Sequence, residues 1–242
     1  MNKHYDNIAD DFDKNWSFTP EYMHWMVTKI IELLDFKNSD IFVDIGAGTG
    51  LYTKKIESEV AFNEPIYFVE PSLDMTNIAN EYNKFTLYNE TSEDFLNRNK
   101  KFDKILFKEV IHHIFNREAM WEKLFLQLNH NGKFLLITRP QNTKIPLFKK
   151  AKEKFKANQP DYKLFEKEAK KVGFKIDTTI ESFNFSVDKQ KWYTMLRERF
   201  MSDLAEFTRE DIEKGIEELE NQLSNNNIVI EDEIIFIVGH KV

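Results

Sequence analysis

Ile41-Phe42-Val43-Asp44-Ile45-Gly46-Ala47-Gly48-Thr49-Gly50 decides the fold. An apolar run ends in a turn holding three of the chain's seven glycines, and Leu51-Tyr52-Thr53-Lys54-Lys55-Ile56 continues with a helical pattern. Strand, glycine-rich turn and helix bring backbone N–H groups and a helix N-terminus close to a nucleotide-like ligand. Two phosphate-binding patterns fail here: Leu51 and Tyr52 deny the third glycine of G-x-G-x-x-G, and no Gly-Lys-Ser/Thr follows. Asp44 at the mouth of the turn would repel a pyrophosphate; it suits a ligand with an ammonium group or a cationic centre.

S-adenosylmethionine is such a ligand, and Val43 to Gly50 resembles the first motif of class I S-adenosylmethionine-dependent methyltransferases. Four other stretches extend the resemblance. Tyr5-Asp6-Asn7-Ile8-Ala9-Asp10-Asp11-Phe12-Asp13 is similar to the opening that folds over the cofactor in small-molecule members, which implies cofactor contacts from Tyr5 and Trp16; it reads equally as an amphipathic arm packed on the core. Pro65 to Glu70 reads as a second strand ending in an acid 26 residues beyond Asp44, and a carboxylate there can accept both hydroxyls of a ribose. Glu70-Pro71-Ser72-Leu73-Asp74-Met75 resembles the family's D-P-S-x-x-M, which implies Glu70, Pro71 and Met75 in the cofactor site.

Phe85 to Tyr88 is the expected third strand. The family pattern that follows carries an acid for the adenine amino group, and Thr91 stands in its place. Adenine would then be held by the backbone around Ser92 or by Glu93, which reads also as a helix N-terminal acid. Phe102 to Phe107 is the fourth strand, and Lys108-Glu109-Val110-Ile111-His112-His113-Ile114 resembles the family segment that ends V-L-H-H-I. The C-terminal end of that strand lies beside the switch point where open α/β sheets bind ligands, which puts Lys108, Glu109 and Val110 by the cofactor. His112 and His113 are candidate bases, and one of the pair, His113 ahead of His112, reads also as a structural histidine.

A helix over Trp121–Leu128, a turn at Asn129–Gly132, a fifth strand from Lys133 to Thr138, lysine-rich helices over 149–156 and 161–171, a sixth strand from Lys175 to Ile180 and a last strand from Glu233 to Val238 complete the pattern. The fold expected is a Rossmann-like α/β protein with a seven-stranded sheet, mostly parallel with the last strand antiparallel, helices on both faces and an α-helical lid. One domain spans 1–242: cap helices in 1–35, the core in 36–182 and 225–242, and the lid in 183–224. The lid loosely resembles the trans-aconitate methyltransferase group, which implies substrate contacts from Trp192, Tyr193 and Arg199; a helix pair that only extends the core is the alternative. Arg139, at the end of the fifth strand, is placed either to clamp a substrate carboxylate or to pair with a surface acid.

Composition narrows the partners. Lys plus Arg number 34 against 41 Asp plus Glu, for a net charge of -7 with the signs interspersed, so no nucleic-acid partner is expected. The absence of cysteine excludes disulfides, thiolate metal sites and a cysteine nucleophile, and no metal is expected. The N-terminus lacks a signal-peptide core and the longest apolar runs are strand-sized, so the expectation is a cytoplasmic protein without a membrane partner, monomeric or homodimeric. The function these readings imply is methyl transfer from S-adenosylmethionine to a small-molecule acceptor, with a lean toward a carboxylate because Arg139, Arg197 and Arg199 would meet at the mouth of the site. An RNA or protein methyltransferase is the first rival, without a visible recognition domain. A non-catalytic S-adenosylmethionine-binding protein is the second, hinted at by Thr91. A dinucleotide oxidoreductase is disfavoured by Leu51.

Overall fold

The computed structural model describes residues 19–242. Its first helix, α1 (Pro20–Leu34), starts where Thr19 accepts a hydrogen bond from the Tyr22 N–H and Pro20 occupies the first turn, and stops at Asp35 in the left-handed region. Tyr22, Met23, Met26, Val27, Ile30 and Leu34 form the buried stripe. The chain then alternates strands and helices: β1 (Phe42–Ile45), α2 (Leu51–Val60), β2 (Ile66–Val69), α3 (Leu73–Asn80), β3 (Phe85–Tyr88), α4 (Ser92–Phe95), β4 (Phe102–Lys108), α5 (Arg117–Gln127) and β5 (Leu128–Thr138). Two further helices, α6 (Lys149–Asn158) and α7 (Tyr162–Lys171), lead to β6 (Lys175–Asp188); α8 (Lys189–Arg197) and α9 (Arg209–Gln222) precede β7 (Asn227–His240).

The seven strands lie in the order β3-β2-β1-β4-β5-β7-β6. β1 to β5 pair in parallel, and β7 runs antiparallel to both its neighbours. This is the expected sheet. Strand order reverses between β1 and β4, so the crevice at their C-terminal ends is where a ligand belongs. On one face α1, α2 and the helices before β7 share a core; on the other, α5 and α7 pack over β4 and β5.

Two boundaries differ from the sequence expectation. The turn expected at Asn129–Gly132 is absorbed into β5, with Asn131 at φ 62° and a register break opposite Phe102 and Lys104. More consequentially, β6 and β7 pair continuously from Lys175 opposite His240 to Asp188 opposite Asn227. Residues 183–188 and 227–232 are therefore an extension of the sheet. Phe183, Phe185, Val187, Ile228 and Ile230 alternate with more exposed residues and turn inward, and Tyr22 packs on Phe183 and Phe185 with centroids 5.6 and 5.3 Å away. The helical insertion spans 189–226.

Candidate active site

A cleft of ≈ 260 Å³ opens at the C-terminal ends of β1, β2 and β4. Its floor is the glycine turn. Gly46, Gly48 and Gly50 all have positive φ, and at Gly46 (φ 73°) a Cβ would stand 2.5 Å from Val110 Cγ2, so only glycine lets the turn meet the loop after β4. The N–H groups of Gly46 and Ala47 both donate to Val69 O, at 2.8 and 3.1 Å, tying the turn to the end of β2. Gly46, Ala47 and Gly48 line the cleft. Thr49 and Gly50 do not: Thr49 is fully buried, and Gly50 faces Phe68 and Phe85 while starting α2. They shape the turn without forming its wall.

Two carboxylates open on the cleft. Asp44, in β1, is buried and accepts a hydrogen bond from Thr53 Oγ1. Burial pushes its pKa up to about 7, against the Thr53 bond and the charge of Lys108, with Glu70 adding to the rise. Glu70 accepts from the Gly48 N–H at 3.0 Å and the Ser72 N–H at 2.8 Å, so its carboxylate is held in place by backbone. Pro71 and Met75 line the cleft beside it, as does Ser72, which caps α3.

Thr91 is on the wall, with its hydroxyl donating to Asp94 Oδ2 at 2.8 Å as the cap of α4. Ser92 and Glu93 are not on the wall; Ser92 Oγ donates to Glu93 Oε2 at 2.7 Å instead. Of these three only Thr91, which stands in place of the expected acid, lines the cleft; the two residues proposed for adenine, Ser92 and Glu93, do not.

At the end of β4 the predicted residues converge. Lys108 Nζ sits 4.1 Å above the Tyr52 ring. Among the described residues no carboxylate pairs with it, and burial pushes its pKa down to about 8 against the pull of Glu109. Glu109 has φ 56°, a left-handed conformation that is strained for a non-glycine residue. His112 and His113 form a short 3₁₀ turn with ring centroids 4.1 Å apart. Burial pushes both to about 4, helped by the charge of Arg139 for His112 and of His112 for His113, so both are uncharged at neutral pH.

Arg139 lies in the same wall, fully buried, but its guanidinium is committed. Nε and Nη2 donate to the two oxygens of Asp232, both at 2.8 Å, and Nη1 lies 2.9 Å from Glu109 Oε1 in an ion pair without hydrogen-bond alignment. Tyr22 OH donates to Asp232 as well, at 2.7 Å. Burial alone would lower the Arg139 pKa; Asp232 and Glu109 hold it well above the ordinary value. Arg139 does pair with an acid of the protein, but with buried Asp232 and not with one on the surface.

The other substrate candidates lie elsewhere. Trp192 is buried in the core with Nε1 donating to Pro146 O at 2.9 Å, and Tyr193 OH donates to Glu220 at 2.8 Å. Arg199 Nε donates to Phe207 O at 3.0 Å, and Arg197 forms a two-armed bond with Glu213 on the surface. None lines the cleft, so the three arginines do not meet at its mouth. The insertion reaches the cleft through Met201, Ser202 and Asp203, and α6 through Phe155 and, at its cap, Gln159. Sequence reasoning missed these residues, together with Leu51, Tyr52 and Leu106. Asp232 was missed too, although it falls in phase with Ile228, Ile230 and Ile234 on the buried side of β7, a position where an acid must have a partner. Tyr5 and Trp16 lie outside the described residues.

A Rossmann-like sheet whose switch point holds a glycine turn, one desolvated carboxylate and a second carboxylate held by backbone N–H groups defines an S-adenosylmethionine-dependent methyltransferase. The residues fit that cofactor: among the described residues no cation forms an ion pair with Asp44, Glu70 presents two oxygens, and Leu51, Pro71, Met75 and Leu106 supply apolar wall. Residues 16–206 match the family model described as a methyltransferase domain, and the chain belongs to that family. The chain is similar in fold to YcgJ of Bacillus subtilis (TM-score 0.64, 16% identity, covering 90% of this chain and 98% of that one). It is similar also to a SAM-dependent methyltransferase from Archaeoglobus fulgidus (0.59, 13%, 92% and 95%). A third similar structure is the Haemonchus contortus phosphoethanolamine N-methyltransferase 2 bound to phosphomonomethylethanolamine and S-adenosylhomocysteine (0.58, 20%, 89% and 52%). At these identities the likeness is one of fold. No curated protein sequence matches. Among the described residues no helix is long and apolar enough to cross a membrane.

Proposed function

We propose that this chain transfers a methyl group from S-adenosylmethionine to a small-molecule acceptor in the cleft at the β1–β4 switch point. The observation that carries the reading is the pair of carboxylates, Asp44 and Glu70, opening on one cleft from the ends of adjacent parallel strands. Asp44 would hold the donor's α-ammonium and Lys108 its carboxylate; both charges are desolvated and lie on the same wall. Glu70 would accept the ribose hydroxyls, and Thr91 with Met75 would border the adenine. When bound, the cofactor supplies a methyl carbon on a sulfonium sulfur; the acceptor's lone pair forms the new bond while the C–S bond breaks with its electrons left on sulfur. The protein's share is alignment and exclusion of water.

The insertion supports a small acceptor, because Met201, Ser202 and Asp203 line the same cleft, whose volume is ≈ 260 Å³. For an alcohol, phenol or amine, His113 or His112 is the proton acceptor, since both rings are uncharged at neutral pH. The test is incubation with methyl-tritiated S-adenosylmethionine and separate cell fractions of metabolites, RNA and protein. Label in the metabolite fraction is the expected result. Label confined to RNA or protein would move the acceptor to that class, and no label in any fraction would contradict turnover.

A further inference from the structure

We infer that the inner half of the cleft is a subsite for an amine-bearing acceptor, held by the carboxylates of Asp203 and Glu109 and the amide oxygen of Gln159, and that it refuses a carboxylate. The inference rests on reading the outer half as the cofactor site. The inner wall is assembled from three parts of the chain: Glu109, His112 and His113 after β4, Gln159 at the end of α6, and Asp203 in the insertion.

What this wall offers is decided by the bonds already made. Gln159 Nε2 donates to Thr138 Oγ1 at 2.7 Å and to Arg139 O at 2.8 Å, and among the described residues no donor reaches its Oε1. Asp203 Oδ1 accepts from Asn158 Nδ2 at 2.7 Å, and among the described residues no other side chain donates a hydrogen bond to this carboxylate. Glu109 faces Arg139 with Oε1, and among the described residues no hydrogen-bond donor reaches its Oε2. Among the described residues the buried Nδ1 of His112 has no hydrogen-bond partner. The open positions are therefore mostly lone pairs.

Charge points the same way. Arg139, the guanidinium on this wall, is matched by Asp232 and Glu109, and Lys108 lies over Tyr52 within reach of the charge of Asp44. A carboxylate ligand would bring only further lone pairs and a negative charge beside Asp203 and Glu109. An ammonium brings up to three N–H donors and the missing positive charge. Before its lone pair can form a bond to carbon, a protonated amine must lose one proton; His113, electrostatically coupled to Asp203 and uncharged, stands on the same wall to take it and pass it to solvent.

The experiment is calorimetric titration of the protein saturated with S-adenosylhomocysteine, using ligand pairs that differ in the head group: 2-phenylethylamine against 3-phenylpropanoate, and ethanolamine against glycolate. The amines are expected to bind roughly tenfold tighter or more than their carboxylate partners. Asp203→Asn should weaken amine binding by about tenfold while S-adenosylhomocysteine affinity stays unchanged, and Asp203→Glu should restore part of it. Carboxylates binding as tightly as amines, amines failing to bind at millimolar concentration, or Asp203→Asn leaving amine affinity intact would each overturn the inference. S-adenosylhomocysteine affinity is read first, so its absence strikes the cofactor reading and takes this inference with it, whereas a wrong head-group order strikes this inference alone.

Discussion

Asp44 and Lys108 face one dry wall with opposite charges, and burial pushes each toward its neutral form: the acid up to about 7, the amine down to about 8. Holding a zwitterionic tail needs both charged. Affinity for S-adenosylhomocysteine should fall as pH drops below about 7, where Asp44 takes up its proton, and fall again above about 8, where Lys108 loses its own. Asp44→Asn should remove the acidic limb and leave the basic one; an acidic limb that survives in that variant would assign it to another group. Folding stability runs in a fixed direction too. Because the folded-state pKa of Asp44 is raised, its contribution is fully present below its unfolded pKa and is lost as pH rises through about 7, on the order of 4 kcal/mol in total. The residues around this pair were legible in the sequence because they sit in short contiguous motifs at strand ends: Asp44 to Gly48, Glu70 to Met75, Lys108 to His113. Arg139 stayed between two readings in the sequence because its partner, Asp232, lies 93 residues away, and no local pattern links them.

At the level of elements, the parallel core followed from apolar runs punctuated by turns, and the insertion was seen as too long for a loop. Its boundaries were not, because Phe183 to Val187 was taken as the start of the lid although its alternation has the period of a strand. Within the insertion, Trp192, Leu196, Phe200 and Leu204, four residues apart in sequence, are buried in the core. The residues that reach the cleft, Met201 to Asp203, lie at the start of a 3₁₀ turn too short to show any period. Packing of α9 can be tested at Gly215, where a Cβ would come within 2.4 Å of the Phe148 ring. Gly215→Ala should lower stability by about 1–3 kcal/mol in urea unfolding, despite alanine's better helix propensity, and Phe148→Leu in the same chain should relieve part of that loss. A Gly215→Ala chain more stable than the parent would show that α9 stands off from Phe148.

Across the whole molecule, one buried polar network joins parts that are distant in sequence: Tyr22 of α1, Arg139 at the end of β5, Asp232 of β7 and the strained Glu109 after β4. It fixes the first helix and the edge ribbon to the floor of the active site. Arg139→Met would strand the Asp232 carboxylate in the core and should destabilise the protein by about 3–5 kcal/mol in urea unfolding, whereas Arg139→Met with Asp232→Leu should recover most of the loss. Equal stability of the single variant and the parent would remove the network from the account. Long-range assembly of this kind is where sequence reading ran out: periodicity places Asp232 on the inner face of its strand but does not say which cation meets it. The central claim, that Asp44 and Glu70 hold the two ends of an S-adenosylmethionine-type ligand, is tested most directly by isothermal calorimetry with S-adenosylhomocysteine at neutral pH. The account predicts saturable one-site binding to the parent chain, and a loss of roughly tenfold or more in affinity for each of Asp44→Asn and Glu70→Gln. No binding heat from the parent chain, or unchanged affinity when both acids are replaced, would contradict it.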